Sequence, residues 1–360
     1  MRQVKTKAHL LVLLISIYEA RPLASITNLQ KVSLPSEIWR QKFDSKFENE
    51  PRLKGFANAL WNHTFGIRLW ENVDIPNASI RADQVCDIPF PDLPIAKPLH
   101  DPNTFTWARS YLDQASKIIS EFQQLDRENS PWQASVATKL CNDTLGFTKL
   151  VLSHDGGHTF TKVAMEHFNQ TCSILQTTVG SELCPRPIGI NAQGPLSGLA
   201  PHSDNHNFVY TCHLGLDVPK DGACRFIIHD PITLYIIQEA HWHTCQLLVA
   251  DTSFVHSTQN QSPTNSRYTL CFHIWHPFLT TKERQGILDI HQFANEILAA
   301  STSSSLLEQR ETGSNKMGLN KTAKKGKNDG SARIDKTQRQ ESKITMRGEN
   351  KGATDKHPWE

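Results

Sequence analysis

The chain has 360 residues, a formal net charge of +2, a mean hydropathy of −0.44 and 38% hydrophobic residues, enough for one to three domains with an ordinary core. The charge is unevenly spread: residues 301–360 carry 13 Lys or Arg against 8 Asp or Glu, so the first 300 residues are net acidic. That balance argues against a nucleic-acid-binding protein, and the basic run Lys324-Lys325-Gly326-Lys327 is too short and diluted to restore the case.

In chain order, residues 1–24 read as a signal peptide. Arg2, Lys5 and Lys7 precede an apolar run from Leu10 to Tyr18, about half of the roughly 20 residues a spanning helix needs. No further transmembrane span is expected. A buried or amphipathic N-terminal helix is the other reading of this run. Residues 25–87 mix short helical and turn signals and hold no motif. Asp101 to Thr104 offers a helix cap, and Phe105, Ala108, Leu112, Ala115, Ile119 and Phe122 recur at helical spacing, which predicts one amphipathic helix to about Leu125.

Beyond Arg186 the period changes toward two. Strands are expected near 187–190, 208–218, 224–229, 234–238, 245–250 and 267–275, with turns between them, and a helix over 281–300. Short strands at regular intervals predict a mainly β barrel or sandwich with flanking helices. The tail 301–360 has almost no large apolar residues and is expected to be disordered.

Six Asn-x-Ser/Thr sequons (Asn62, Asn77, Asn142, Asn169, Asn260 and Asn320) and an even count of eight cysteines agree with a secretory-pathway protein. Cys172 and Cys184 are candidates to pair. Cys212, Cys224, Cys245 and Cys271 fall in expected strands, where a buried free thiol is at least as fitting.

The chemistry-bearing words lie in the β region. His202-Ser203-Asp204 is the only His-x-Asp or His-x-Glu in a chain with 17 histidines; His256 follows 54 residues after His202, and Arg267 follows 11 later. Two imidazoles and a carboxylate suit Fe(II) with open positions, and an arginine shortly beyond suits a bidentate grip on a dicarboxylate. Polar loop histidines are the plain alternative. In the strand 267–275, Arg267, Thr269, Cys271 and His273 share one face and Tyr268, Leu270, Phe272 and Ile274 the other, so the polar face is expected to line a ligand cavity.

Four blocks, His202-Ser-Asp204, His213-Leu-Gly-Leu-Asp-Val-Pro-Lys-Asp-Gly222, Asp251-Thr-Ser-Phe-Val-His256 and Arg267 with Ile274-Trp-His-Pro277, together resemble the aspartyl/asparaginyl β-hydroxylase family. A fainter echo begins at Ile95-Ala-Lys-Pro-Leu-His-Asp101, so the resemblance spans roughly 88–287. It implies a double-stranded β-helix (jelly-roll or cupin-like) core in a dioxygenase domain over 88–300. It also implies an Fe(II)- and 2-oxoglutarate-dependent dioxygenase that uses O₂ to hydroxylate an Asp or Asn residue of a protein or peptide. By the same resemblance His202, Asp204 and His256 are the metal ligands, Arg267 pairs with the distal carboxylate of 2-oxoglutarate, His213 lies close to the cosubstrate, and Asn191 stands where a hydroxyl residue assists that carboxylate.

Two departures stand out. Animal β-hydroxylases have glycine at the position of Asp204, and the family carries arginines where this chain has Val209 and Thr211. The missing arginines leave open a lipid acyl chain or small metabolite as substrate, or a catalytically silent barrel that only binds.

Overall fold

Eight consecutive strands, β4 to β11, are shared between two antiparallel sheets in this computed structural model, which describes residues 36–66, 68–70, 72–73, 84–94, 97–134, 146–220 and 222–297. The expected signal peptide, the expected disordered tail 301–360 and the sequons Asn77, Asn142 and Asn320 lie outside those residues. The strands are β4 (Ile188–Gln193), β5 (Ser197–His202), β6 (Val209–Asp217), β7 (Cys224–His229), β8 (Ile236–His241), β9 (Leu247–Ala250), β10 (His256–Asn260) and β11 (Arg267–Trp275). The larger sheet includes β9-β6-β11-β4 as neighbours, and the smaller is β5-β10-β7-β8. The chain crosses between the sheets at every step except the β7–β8 hairpin, which stays within the smaller one, and this is a double-stranded β-helix. Three strands extend the larger sheet: β1 (Leu99–His100) beside β9, then β3 (Phe147–Ser153) and β2 (Gln133–Ala134) beyond β4.

The period-two pattern sorts the faces as expected. Leu150, Ile190, Leu270, Leu214 and Leu247 lie in one cross-strand row, and with Cys212, Phe272 and Ile274 they face an apolar core covered by helices. Arg267, Thr269, Cys271 and His273 point the other way, toward the small sheet. Gly215 of β6, in the His213-Leu-Gly-Leu word, lies against the turn before β9; a Cβ there would overlap the carbonyl oxygen of His243, so no larger residue fits.

The covering helices are α3 (Ala108–Leu112), α4 (Ala115–Gln124), α5 (Lys162–His167) and α6 (Asn169–Ile174). Asp101 does cap, its side chain accepting from the Asn103 backbone N–H at 2.9 Å, but it caps a single 3₁₀ turn. The expected single helix is broken at Asp113-Gln114, where Gln114 leaves helical geometry (φ −108°, ψ 3°). The buried stripe becomes Ala108, Tyr111, Ala115, Ile118 and Phe122 in place of one through Leu112 and Ile119. Tyr111 decides that register: its ring meets Phe272 at 5.3 Å, and only a turn lets both half-helices keep aromatic residues on the sheet.

A second core closes one end of the sheets. Helices α1 (Ser36–Phe47) and α2 (Pro51–Phe65) pack Phe43, Leu53, Phe56, Leu60 and Trp61 with Phe208, Trp275 and the residues Ile287, Ile290 and Ala294 of the C-terminal helix α7 (281–297). Pro51 opens α2 and Gly66, at φ 68°, closes it with its N–H on Asn62 O. The motif-free residues 36–66 therefore complete a shared core. No helix among the described residues is long and apolar enough to cross a membrane.

Cys172 lies in the helix-side core and Cys184 in the second one; both are free thiols, so the pairing expected from their spacing does not form. The sequon asparagines Asn62 and Asn169 are exposed. Asn260 is 1% exposed and its amide nitrogen donates to Gln193 O, Gly194 O and Asn265 O, which closes that sequon in the folded chain.

Candidate metal and cosubstrate site

His202 ends β5 and His256 begins β10, and the antiparallel register sets them directly opposite each other. Their ring centroids are 4.3 Å apart. The Nδ1 of His202 donates to Ala200 O (2.8 Å) and that of His256 to Phe254 O (2.9 Å), so in each ring Nε2 is left with its lone pair. His256 is further fixed by stacking on Phe226, with planes 19° apart and centroids 5.2 Å apart.

Asp204 reaches the same point through a turn. Asn205 adopts left-handed backbone (φ 62°), and the Asp204 N–H donates to Thr252 O at 2.9 Å, tying the His-x-Asp loop to the loop that precedes His256. The Ser203 hydroxyl accepts from the Asn205 N–H at 3.0 Å and donates to carbonyls of the 252–253 segment and Val85. Donor atoms of His202, Asp204 and His256 then lie within 4.8 Å of one another. Burial alone would raise the Asp204 pKa, but His256, Arg186, His206 and His202 around it outweigh that and hold the carboxyl below the usual range. Burial, with His202 beside it, pushes His256 down to about 4. An ionised carboxylate and neutral imidazoles are the ligand forms a divalent metal needs.

Several buried polar atoms near this triad have no hydrogen-bond partner among the described residues. Arg267, 1% exposed, has its guanidinium carbon 3.8 Å from the centroid of Trp242, while its Nε and Nη1 bond to nothing. Burial brings its pKa down to about 10, so it remains a cation at neutral pH. Thr269 Oγ1, Asn191 Oδ1 and His213 Nδ1 are equally unpartnered, and Thr269 is the direct cross-strand neighbour of Asn191. Burial, then Arg267 and His256, lowers His213 to about 3, so its ring is neutral. A buried cation without an anion is expensive, and a carboxylate accepting from an edge of the guanidinium relieves it. The residues therefore fit Fe(II) at the triad and a dicarboxylate such as 2-oxoglutarate on Arg267.

The structure brings His202, Asp204 and His256 together, sets His213 close enough to Arg267, His256 and Asp204 to feel their charge, and places Asn191 opposite Thr269. Thr269 follows from the alternation starting at Arg267. Arg186 and His206 lie close enough to Asp204 to act on its charge, as Arg186, Lys149 and His206 do on His273, and nothing in their spacing marks them. His276, of the Trp-His-Pro word, is turned away: its ring packs on Tyr210 with centroids 4.9 Å apart.

Residues 113–277, somewhat under half of the chain, match the aspartyl/asparaginyl β-hydroxylase family. No curated protein matches the chain. Among solved structures, a Pseudomonas putida prolyl-4-hydroxylase is similar at 12% identity and TM-score 0.29, over 46% of this chain and 86% of its own. A 2OG-Fe(II) oxygenase-family oxidoreductase from Burkholderia pseudomallei is similar at 14% identity and TM-score 0.32, over 50% and 96%. HygX from Streptomyces hygroscopicus, solved with nickel and 2-oxoglutarate bound, is similar at 10% identity and TM-score 0.27, over 47% and 80%. At TM-scores this low, these likenesses add nothing to the topology already described. Over residues 113–277 the chain thus matches the aspartyl/asparaginyl β-hydroxylase family, and that match together with the residues of the site supports a 2-oxoglutarate-dependent dioxygenase.

Proposed function

We propose that this protein hydroxylates the β-carbon of an Asp or Asn residue in a protein or peptide substrate, within the secretory pathway. One observation carries the catalytic part: three convergent donors, His202, Asp204 and His256, sit beside a buried guanidinium with two unpartnered N–H groups. Fe(II) with 2-oxoglutarate and O₂ supplies the oxidising chemistry when bound. The chain's own part is placement. Hydrogen bonds through Nδ1 present both imidazoles by Nε2, the Asn205 turn presents Asp204, and Arg267 with Thr269 and Asn191 fixes one end of the cosubstrate.

The family match supports the Asp or Asn substrate, and the basic leader-like N-terminus with exposed Asn62 and Asn169 supports the compartment. The test is to incubate the Fe(II)-loaded protein aerobically with 2-oxoglutarate and a library of Asp- and Asn-containing peptides. Succinate release coupled to gain of one oxygen atom at Asp or Asn is expected. Oxygen incorporated only into other residue types, or into lipids, would overturn the substrate assignment. For the compartment, expression in a secretory host should give a chain whose mobility shifts on glycosidase treatment; an unglycosylated, unsecreted chain would contradict it.

A further inference from the structure

Position 211 on β6 holds a threonine and 209 a valine, so β6 itself brings no cation to the cavity. Two cations arrive there from other elements. The segment before β4 is laid along the end of β11: Leu183 bridges Ile274, and the Cys184 N–H donates to His273 O at 2.9 Å. Arg186, two residues on, thereby stands beside His273, and its Nη1 donates to His206 Nε2. From the other side, Lys149 on β3 pairs with Asn191 on β4. A Cβ at Gly189 would lie 2.9 Å from the Lys149 Cε, so the lysine stem runs across β4 over the one residue without a side chain. Gly189 pairs with Cys271, whose next neighbour on that face is His273.

His273 is thus faced by Arg186, Lys149, Asp204 and His206, and it is the cross-strand partner of Thr211. Burial first, then Arg186 and Lys149, pushes its pKa well below the ordinary histidine value, so its ring is neutral and adds no charge. Its Nδ1 and the Nδ1 of His206 are buried without partners. Neither Arg186 nor Lys149 has a carboxylate within ion-pair distance among the described residues.

Charge decides what this cluster wants. A metal dication and a 2-oxoglutarate dianion cancel, and Asp204 offsets Arg267. Arg186 and Lys149 remain. The other carboxyl electrostatically coupled to the triad is Asp251, which burial, against hydrogen bonds from Ser253, raises to about 7. Even with Asp251 ionised, one positive charge is left over in the loaded site.

We infer that Arg186 and Lys149 form the substrate's carboxylate-binding subsite, so that the enzyme selects an aspartyl over an asparaginyl side chain. This rests on the dioxygenase reading above and narrows it. His206, which accepts from Arg186 Nη1, is a positioning residue for that cation.

The test uses the full chain loaded anaerobically with Fe(II) and 2-oxoglutarate. The probes are N-acetyl-L-aspartate amide and N-acetyl-L-asparagine amide, near-isosteres differing in charge, with binding followed by calorimetry and by the visible band of the chelated cosubstrate. The aspartyl probe should bind about tenfold tighter or better, the worth of one charge-assisted hydrogen bond. Arg186→Gln and Lys149→Gln should each abolish most of that preference, and Lys149→Gln should leave the 2-oxoglutarate Kd within about twofold of wild type. Arg186→Lys, which keeps the charge, should retain part of it and controls for misfolding. An aspartyl probe that binds no better than the asparaginyl one, or not at all, overturns the inference with the dioxygenase reading intact. Variants that lose 2-oxoglutarate instead would assign these cations to the cosubstrate. A wild-type protein that binds no 2-oxoglutarate would sink both readings together.

Discussion

Arg267 offers the sharpest perturbation because its surroundings make two opposite demands. Without a ligand, a cation 1% exposed, with two unpartnered N–H groups and only the face of Trp242 against it, is a cost to the fold. With a carboxylate bound along an edge of the guanidinium, the cation gains the anion that the fold does not supply. Arg267→Lys keeps a charge over the indole but loses the fork. Loss of one charge-assisted hydrogen bond is worth about 1.5–3 kcal/mol, which converts to a rise in the 2-oxoglutarate Kd of roughly ten- to a hundredfold. Arg267→Met should go further: it should abolish measurable cosubstrate binding yet leave the ligand-free protein as stable as wild type or more so, because a buried unpaired charge has been replaced by a side chain of similar length. The assay is an anaerobic titration of Fe(II)-loaded protein with 2-oxoglutarate, followed by its visible charge-transfer band, with melting curves with and without cosubstrate. Wild type should gain melting temperature on adding 2-oxoglutarate and the Met variant should gain none. An unchanged Kd in Arg267→Lys, or a Met variant still stabilised by 2-oxoglutarate, would refute the role given to this guanidinium.

His202→Ala and His256→Ala should each abolish Fe(II) binding in equilibrium dialysis, since each removes one of three convergent donors; retained wild-type affinity in either would contradict the ligand set. Asp204→Ala and Asp204→Gly should weaken Fe(II) binding by about tenfold or more, because an anionic oxygen is replaced by water, with residual 2-oxoglutarate consumption; wild-type affinity in both would reduce the site to two histidines. Acid stability should reflect His276, which burial, followed by His100 and Arg52 facing it, lowers to about 4. A folded pKa below the unfolded value of 6.5 means the unfolded chain takes up the proton first, so stability should fall as pH drops from about 6.5 toward 4. His276→Gln should flatten that slope in urea titrations at several pH values, and an unaltered slope would show that other groups set it.

The parts of this protein legible in its sequence are those where one local rule acts alone. Strand β11 is marked by strict alternation from Arg267 to Trp275, and its polar face leads directly to Thr269. The His-x-Asp word is rare enough to mark the triad, and antiparallel pairing then sets His202 against His256. The illegible parts depend on contacts distant in sequence. The expected continuous helix breaks because Tyr111 meets Phe272, and no residue near Gln114 announces it. Cys172 and Cys184 are close in sequence yet lie in different cores, so spacing misleads. Residues 36–66 show no motif because their task is packing against α7 and the end of the sheets. Arg186 and Lys149 are ordinary charges in the sequence; only the bridge of Leu183 to Ile274 and the gap over Gly189 bring them to His273.

The central claim is that this barrel turns over 2-oxoglutarate at the His202–Asp204–His256 site. The most direct measurement is succinate formed from 2-oxoglutarate by purified, Fe(II)-loaded protein in air, with His256→Ala in parallel. Succinate from wild type, increased by an aspartyl peptide and absent from the variant, is the predicted result. No succinate from a wild-type protein that binds Fe(II) and 2-oxoglutarate normally would contradict it and leave a barrel that binds without catalysis.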